Sequence, residues 1–120
     1  MVKSPRQKGN RTVRRAVEFY GSQGYLVDRV EKTGRWIVDK DLFSLFDLIG
    51  IRKNEVVLIQ VKTNQPPTQS AYVEFAQKYS GTAIRVEAFT WYDRMGYVIH
   101  QFFSDGSVTR IDRRDNGKKN

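Results

Sequence analysis

Three polar residues in the segment FDLIGIRKNEVVLIQVK, residues 46–62, could do chemistry together: Asp47, Gln60 and Lys62. Each interrupts an otherwise apolar run, and burying such groups is unfavourable unless they are paired or used. Residues two apart in a strand point to the same side, so Gln60 and Lys62 share one face. If a two-residue turn at 53–54 joins two antiparallel strands, Asp47 lies opposite Gln60 on that face. A register slip of one residue would move Asp47 to the far face.

A carboxylate, an amide oxygen and an ammonium group at one point suit metal-assisted hydrolysis of a phosphodiester. Mg²⁺ takes oxygen ligands, which Asp47, the Gln60 side chain and the backbone carbonyl of Val61 could supply. Lys62 could hold or deprotonate the attacking water, or neutralise charge that develops on the scissile phosphate. Spacing alone favours a simpler interpretation, in which Asp47 begins a strand while Gln60 and Lys62 reach solvent, because the pattern is short and common.

The composition limits the size and the partners of the protein. The chain has 120 residues, no cysteine and a formal net charge of +8. That length fits a single domain, 1–120, with basic tails at about 1–9 and 113–120. The absence of cysteine excludes disulfides, thiolate catalysis and Cys-ligated zinc. The charge indicates nucleic acid as a partner ahead of an anionic membrane, or serves solubility alone. No segment has the length and apolarity to span a bilayer, which favours a cytoplasmic protein.

The apolar pattern predicts the elements that must position these groups. Asn10 could cap a first helix, which Gly21 or Gly24 ends, and YLVDRV reads as a strand. The stretch 31–45 has no clear assignment. The two runs of the 46–62 segment follow as strands, Ser70 could cap a second helix, and three further strands lie between turn signals. The predicted order is αβ(β)ββαβββ, an α/β fold.

The segment FDLIGIRKNEVVLIQVK resembles the core signature of the PD-(D/E)XK nucleases, in which an Asp opens one strand and an acid-X-Lys triplet lies on the next. The helix after QKGN, the GY that enters a strand and DKDLFSLFDLIGI are most similar to archaeal-type Holliday junction resolvases and their phage-encoded relatives. The resemblance extends from about Lys8 to Lys62. It implies a restriction-endonuclease-like core, a mixed central β-sheet flanked by helices, that cleaves branched DNA with Mg²⁺ or Mn²⁺.

The resemblance also implies roles for single residues. Asp47 matches the metal-binding Asp, Gln60 takes the place of the second acid, and Lys62 matches the catalytic Lys. Two positions depart from the family pattern, because Val13 stands where the family usually has a Glu and Gln60 has lost a negative charge. Asp41 could compensate if its stretch folds back beside the hairpin.

Other acids are weaker candidates for that compensation than Asp41. Asp39 lies farther from the hairpin in sequence. Glu18 lies roughly 140° around the first helix from Val13, at about 100° per residue. A surface ion pair between Glu18 and Arg14, four residues earlier, is the favoured interpretation.

Basic residues could bind the DNA backbone without reading its sequence. Those of the N-terminus and the first helix are Lys3, Arg6, Lys8, Arg11, Arg14 and Arg15. Lys32 and Arg35 could contact DNA from the unassigned stretch, or belong to a solvated loop. The remaining conspicuous residues are predicted to be structural. His100 is predicted to be a packing or surface residue. The aromatic residues predicted as core or subunit contacts are Phe89, Trp91, Phe102 and Phe103.

Two functions of different class follow. The first is a structure-selective endonuclease that resolves four-way junctions by paired symmetric nicks, as a homodimer without a membrane partner, in the host cell cytoplasm if the gene is viral. The second is a catalytically weak or inactive DNA-binding or recombination-accessory protein. We favour the enzyme, because a binding module has no evident use for Lys62 beside Asp47 on an apolar hairpin.

Overall fold

The computed structural model describes residues 5–30, 43 and 45–112, with side chains from Asn10 onward. These residues form a single mixed sheet flanked by helices, which confirms the predicted α/β class. The strand order in the sheet is the order in sequence, and neighbours are antiparallel except for the parallel pair β3 and β4. The elements are α1 Pro5–Ser22, β1 Leu26–Arg29, β2 Leu48–Arg52, β3 Glu55–Thr63, α2 Ser70–Tyr79, β4 Ile84–Tyr92, β5 Gly96–Phe102 and β6 Val108–Asp112.

The start of α1 differs from the prediction. The helix begins at Pro5, so Asn10 is an interior residue and not the N-cap. Proline is well suited to the first position of a helix, because its missing N–H would have no intrahelical partner there. Residues 5–9 of the predicted basic tail therefore belong to the helix. Residues 1–4 and 113–120 of the two predicted tails lie outside the described part of the chain.

The start of α2 differs from the prediction by one residue. Ser70 is the first helical residue, and Gln69 is the N-cap without a side-chain capping bond. The carbonyl of Gln69 accepts the first helical hydrogen bond, 2.8 Å from the N–H of Val73. The helix ends at Tyr79, and the N–H of Ser80 donates to the carbonyl of Ala76.

The two helices cover opposite faces of the sheet, because successive side chains of a strand alternate. The α1 face buries the cluster Ala16, Tyr20, Tyr25, Leu48, Val57, Ile59, Phe89 and Ile99. The α2 face buries the cluster Phe46, Leu58, Tyr72, Ala76, Val86, Ala88 and Phe102. Phe89 and Phe102 are thus core residues, as predicted. Among the described residues, no helix is both long and apolar enough to cross a bilayer.

The parallel pairing of β3 and β4 brings the carboxyl ends of both strands to the same edge of the sheet. Lys62 pairs with Thr90, and Thr63 pairs with Trp91. The first half of α1 lies at this edge, since the hydroxyl of Thr63 donates to that of Thr12 over 2.7 Å. Ligand sites of open α/β sheets lie preferentially at such carboxyl ends.

Candidate functional site

The hairpin of β2 and β3 has the predicted register. Arg52 pairs with Glu55 across the turn at 53–54, and Leu48 pairs with Ile59. Asn54 adopts a positive φ of 63°, a conformation that Asn tolerates better than most residues. The regular register ends at Leu48, and the N–H of Asp47 donates to the carbonyl of Ile59, so the predicted pairing of Asp47 directly opposite Gln60 is not observed.

Asp47 is held by the backbone of two neighbouring strands. Its N–H donates to the carbonyl of Ile59 over 2.8 Å, and its carbonyl accepts from the N–H of Val30 over 3.0 Å. Its carboxylate oxygen Oδ2 accepts a hydrogen bond of 2.8 Å from the N–H of Val61. The chain bends at Asp47. As a result Phe46 packs on the α2 face, whereas Leu48, two residues later, packs on the α1 face. The side chain of Asp47 is half-buried.

Gln60 has a buried oxygen that lacks a protein partner. The residue is 6% exposed, and its Oε1 has no hydrogen-bond partner among the described residues. An unsatisfied buried acceptor destabilises a protein by about 1–3 kcal/mol unless water or a ligand satisfies it. Gln60 shares the α2 face with Leu58 by alternation along β3. The half-buried Lys62 follows on that face, two residues farther along the strand.

The oxygen donors at this place suit a hard divalent cation. Asp47 offers a carboxylate, Gln60 an amide oxygen that has no partner in the described protein, and Val61 a backbone carbonyl. In the described part of the chain, no cluster of three His, Asp or Glu side chains could hold a metal ion. A cation here would therefore take further oxygens from water and substrate. Asp41 and Asp39, the proposed additional acids, lie outside the described residues.

The predicted basic residues divide between described and undescribed positions. Arg11 and Arg15 lie on one side of α1, toward the ends of β3 and β4, and Arg14 is exposed to solvent. The backbone of Arg6 and Lys8 lies within α1. Lys3, Lys32 and Arg35 lie outside the described part of the chain.

One basic residue near the site was not predicted. Arg29, at the end of β1, pairs with Leu48, the residue after Asp47. Its Nη2 donates to Oδ1 of Asn10 in α1, at 3.5 Å. The sequence YLVDRV alone does not predict this position of Arg29, because the pairing of β1 with β2 decides which residue of β1 lies near Asp47.

A buried polar network, which sequence reasoning also missed, joins α1 to the sheet at the opposite end. The hydroxyl of Tyr20 donates to Oε1 of Glu87 over 2.7 Å, and Glu87 is 2% exposed. Arg85 forms an ion pair with Glu87. Burial and the adjacent Glu87 carboxylate raise the pKa of Tyr20 well above its usual value. The signal was present in β4, because Arg85 and Glu87 are two charged residues on one face of an apolar strand.

Glu55 is the second acid of this network. Its Oε2 accepts from the hydroxyl of Tyr25 over 2.7 Å and from Nη1 of Arg85 over 3.1 Å. Nε of Arg52 donates to Oε1 over 2.8 Å. The Tyr25 hydrogen bond, together with those from Arg52 and Arg85, lowers the pKa of Glu55 to about 2 despite its partial desolvation. With two acids balanced by two arginines, the network stabilises the fold.

His100 lies within β5, paired with Ala88 of β4 and away from the carboxyl ends of β3 and β4. It is half-buried on β5 opposite Arg110, and its Nδ1 has no partner among the described residues. Burial and the positive charge of Arg110 lower its pKa. Desolvation thus favours the neutral imidazole.

Comparison with known proteins identifies a shared fold. No protein-family model and no curated protein matches the sequence. Nine chains of solved structures match it. One is the 1.6 Å structure of Hjc, a Holliday junction resolvase from the archaeal hyperthermophile Archaeoglobus fulgidus. The TM-score is 0.53 at 16% sequence identity, over 87% of this chain and 88% of that chain. At this identity the likeness shows the fold, which extends over most of both chains.

Proposed function

We propose that this protein is a metal-dependent, structure-selective DNA endonuclease that resolves four-way junctions by paired symmetric nicks. One observation carries the proposal. The carboxylate of Asp47 is anchored to the N–H of Val61, and the preceding residue, Gln60, has a buried Oε1 without a partner among the described residues. A fold shared with an archaeal Holliday junction resolvase and a net charge of +8 support it.

Asp47, Gln60 and the carbonyl of Val61 would hold Mg²⁺ or Mn²⁺, with Asp41 as a further candidate ligand. When bound, the ion stabilises charge on the scissile phosphate and makes a coordinated water more acidic. Asp47 provides the negative charge that attracts the cation. The hydrogen bond from Val61 fixes one of its carboxylate oxygens, so the carboxylate is oriented before substrate binds.

Lys62 is the proposed cationic catalytic residue. It follows Val61 in β3 and shares the face of Gln60 by strand alternation. Its ammonium group would neutralise charge that develops on the scissile phosphate, or would hold or deprotonate the attacking water. The two roles require different properties of the side chain, since only the second needs a group that can lose a proton.

The substrate and the assembly follow from the same proposal. Arginines of α1 would neutralise phosphates next to the site, which favours recognition of DNA shape over base sequence. Paired cuts in a four-way junction need two active sites, so the proposed active form is a homodimer. Its proposed location is the cytoplasm, of the host cell for a viral protein.

A specific observation favours a second candidate function. Gln60 provides an uncharged oxygen where the resembled nucleases have an acid, so Asp47 is the one carboxylate of the described site. One negative charge attracts a divalent cation less strongly than two. The alternative is a nuclease-fold protein that binds branched DNA and assists recombination with little or no cleavage.

A cleavage assay separates the two functions. The full chain is incubated with an end-labelled four-way junction and Mg²⁺ or Mn²⁺, and the products are mapped on a denaturing gel. Symmetric nicks that disappear in Asp47→Ala support the resolvase. Junction binding without cuts in either metal supports the accessory protein. Equal cutting of linear duplex and flaps would show a general nuclease and contradict the proposed selectivity.

A further inference from the structure

A stacked pair of side chains lies at the edge of the sheet beside the proposed site. The guanidinium of Arg15 lies over the ring of Trp91, 3.8 Å from the ring centroid. Such cation–π contacts favour a fixed position for an otherwise flexible side chain. Trp91 is half-buried at the end of β4. Trp91 was predicted to be a core or subunit contact, and in the structure its ring stacks against a cation.

Arg15 and Trp91 form two walls of a small pocket between α1 and the ends of β3 and β4. The cavity has a volume of about 20 Å³ and is lined by Arg11, Thr12, Arg15, Thr63, Trp91 and Asp93. That volume admits about one water-sized group. A single phosphate oxygen fits, whereas a base does not, and the ring of Trp91 is already covered by Arg15.

The charge of the pocket favours an anion. Arg11 and Arg15 contribute two positive charges and Asp93 contributes one negative charge. The Asp93 carboxylate accepts from Nδ2 of Asn64 over 2.9 Å, and the N–H of Asp93 donates to Oδ1 of Asn64 over 2.9 Å. The N–H of Asn64 also donates to the carbonyl of Trp91 over 2.7 Å. These bonds tie the two strand ends together, so the wall of the pocket is fixed.

The pocket lies next to the proposed catalytic residue in sequence and on the other face of the sheet. Thr63 lines the pocket on the α1 side, and Lys62 precedes it on the α2 side. Both residues are at the carboxyl end of β3. A DNA strand that crosses this edge of the sheet would therefore pass both the catalytic face and the pocket.

We propose that Arg11 and Arg15 form a subsite for one backbone phosphate of the bound DNA, in which Trp91 is the positioning residue for Arg15. The inference rests on the proposed function for its substrate class. It assigns a specific task to Trp91, and it separates Arg11 and Arg15 from the solvent-exposed Arg14. Arg14 contributes charge from the outer side of α1 and is independent of Trp91.

A double-mutant cycle on binding tests this subsite. Affinity for a labelled four-way junction is measured in EDTA, so that no cleavage occurs, over a series of salt concentrations. We expect Arg15→Ala to weaken binding about 10-fold and to reduce the slope of log affinity against log salt by about 1. Trp91→Leu should weaken binding several-fold, and Trp91→Phe should restore most of it, because a ring again lies under the guanidinium.

The coupling between substitutions distinguishes positioning from general structural support. Trp91→Leu should have little further effect in an Arg15→Ala background, whereas its effect should be additive with Arg14→Ala. Lys78→Ala on α2, which removes one charge from the other side of the sheet, is the control for net charge. Additive effects of Arg15→Ala and Trp91→Leu, or an unchanged salt slope in Arg15→Ala, would overturn the proposal.

The subsite and the endonuclease can fail separately. If the parent protein cuts junctions but Arg15→Ala binds them equally well, the subsite is wrong and the endonuclease stands. If the parent cuts nothing but the binding cycle shows the expected coupling, the subsite stands without the enzyme. A parent protein that binds no DNA overturns the subsite as well.

Discussion

The N–H of Val61 donates a hydrogen bond of 2.8 Å to the carboxylate of Asp47, which belongs to the neighbouring strand segment. A side-chain oxygen here accepts a bond that a backbone carbonyl would accept in a regular antiparallel ladder. The backbone of the hairpin therefore helps to set the position of the carboxylate. This relation allows the charge of Asp47 to be tested apart from its hydrogen bond.

Asp47→Asn should abolish cleavage and preserve the fold. The amide oxygen can still accept from Val61, but the charge that attracts a cation is gone. We expect the cleavage rate to fall by about 100-fold or more, with junction affinity in EDTA within about twofold of the parent. Asp47→Ala also loses the hydrogen bond, so its melting temperature should be lower than that of Asp47→Asn. Cleavage by Asp47→Asn at the parent rate would contradict the assigned role.

Gln60→Glu should increase the affinity of the site for the metal and lower the stability of the metal-free protein. A second carboxylate should lower the Mg²⁺ concentration needed for half-maximal cleavage by about 10-fold. Burial should raise the pKa of the new carboxyl group in the folded state. Its folded form then favours the protonated acid, so in EDTA the variant should lose stability relative to the parent as pH rises above about 4.3.

Thermal melts of Gln60→Glu at pH 4 and pH 7.5, with and without Mn²⁺, check this expectation. Mn²⁺ should restore the melting temperature at pH 7.5. Gln60→Leu is the matched control, since it has neither the oxygen nor the charge and should show no response to the metal. An unchanged melting temperature of Gln60→Glu in EDTA at pH 7.5 would show that residue 60 is better solvated than its burial indicates.

Substitutions of Lys62 separate its two proposed roles. Lys62→Met should reduce the cleavage rate by about 100-fold, because no cation remains beside the phosphate. Lys62→Arg keeps the charge, but a guanidinium does not lose its proton in proteins. Substantial activity of Lys62→Arg would indicate charge neutralisation, and inactivity would indicate proton transfer. Rates are measured under single-turnover conditions across pH 6–9, and full activity of Lys62→Met would remove this residue from the mechanism.

Glu55 should make the stability of the protein sensitive to acid. Its pKa is lowered to about 2 in the folded protein, first by the Tyr25 hydrogen bond. A lowered folded-state pKa contributes stability above the unfolded pKa of about 4.3, and that stability is lost as pH falls toward 2. Glu55→Gln should reduce the free energy of unfolding at pH 7 by about 1–2 kcal/mol and flatten its decline between pH 5 and 2.

Urea denaturation at several pH values measures the contribution of Glu55. The exposed Glu74 of α2 provides a control, because its ion pair with Lys78 lies at the surface. Glu74→Gln should change stability by less than about 0.5 kcal/mol at pH 7. Equal acid sensitivity of Glu55→Gln and the parent would show that other groups dominate acid unfolding.

The hairpin could be predicted from sequence because its determinants are local. The apolar runs on either side of Lys53 and Asn54 leave a two-residue turn as the simplest connection, and the turn fixes which residues face each other as far as Leu48 and Ile59. The interruption of the ladder at Asp47 had no such local signal. The start of α1 was less accessible. Asn10 is a favourable N-cap residue, but Pro5 is compatible with an earlier start. The sequence alone does not show which of the two residues begins the helix.

The network around Glu87 could be predicted only in part. Alternation in β4 puts Arg85 and Glu87 on one face. That the hydroxyl of Tyr20 meets Glu87 depends on how α1 crosses the sheet, which is a tertiary property. The stacking of Arg15 on Trp91 likewise needs the parallel pairing of β3 and β4, because sequence spacing alone does not show which strand lies beside α1.

Because the described strands occur in the sheet in their sequence order, the chain divides at the loop 64–69 into two contiguous halves that meet along β3 and β4. Asp47, Gln60 and Lys62 belong to the first half, and Trp91 to the second. Cutting this loop would yield two fragments, each with its own antiparallel strands. When the two fragments are co-expressed as a split protein, the proposed phosphate subsite would form only if β3 of the first fragment pairs with β4 of the second.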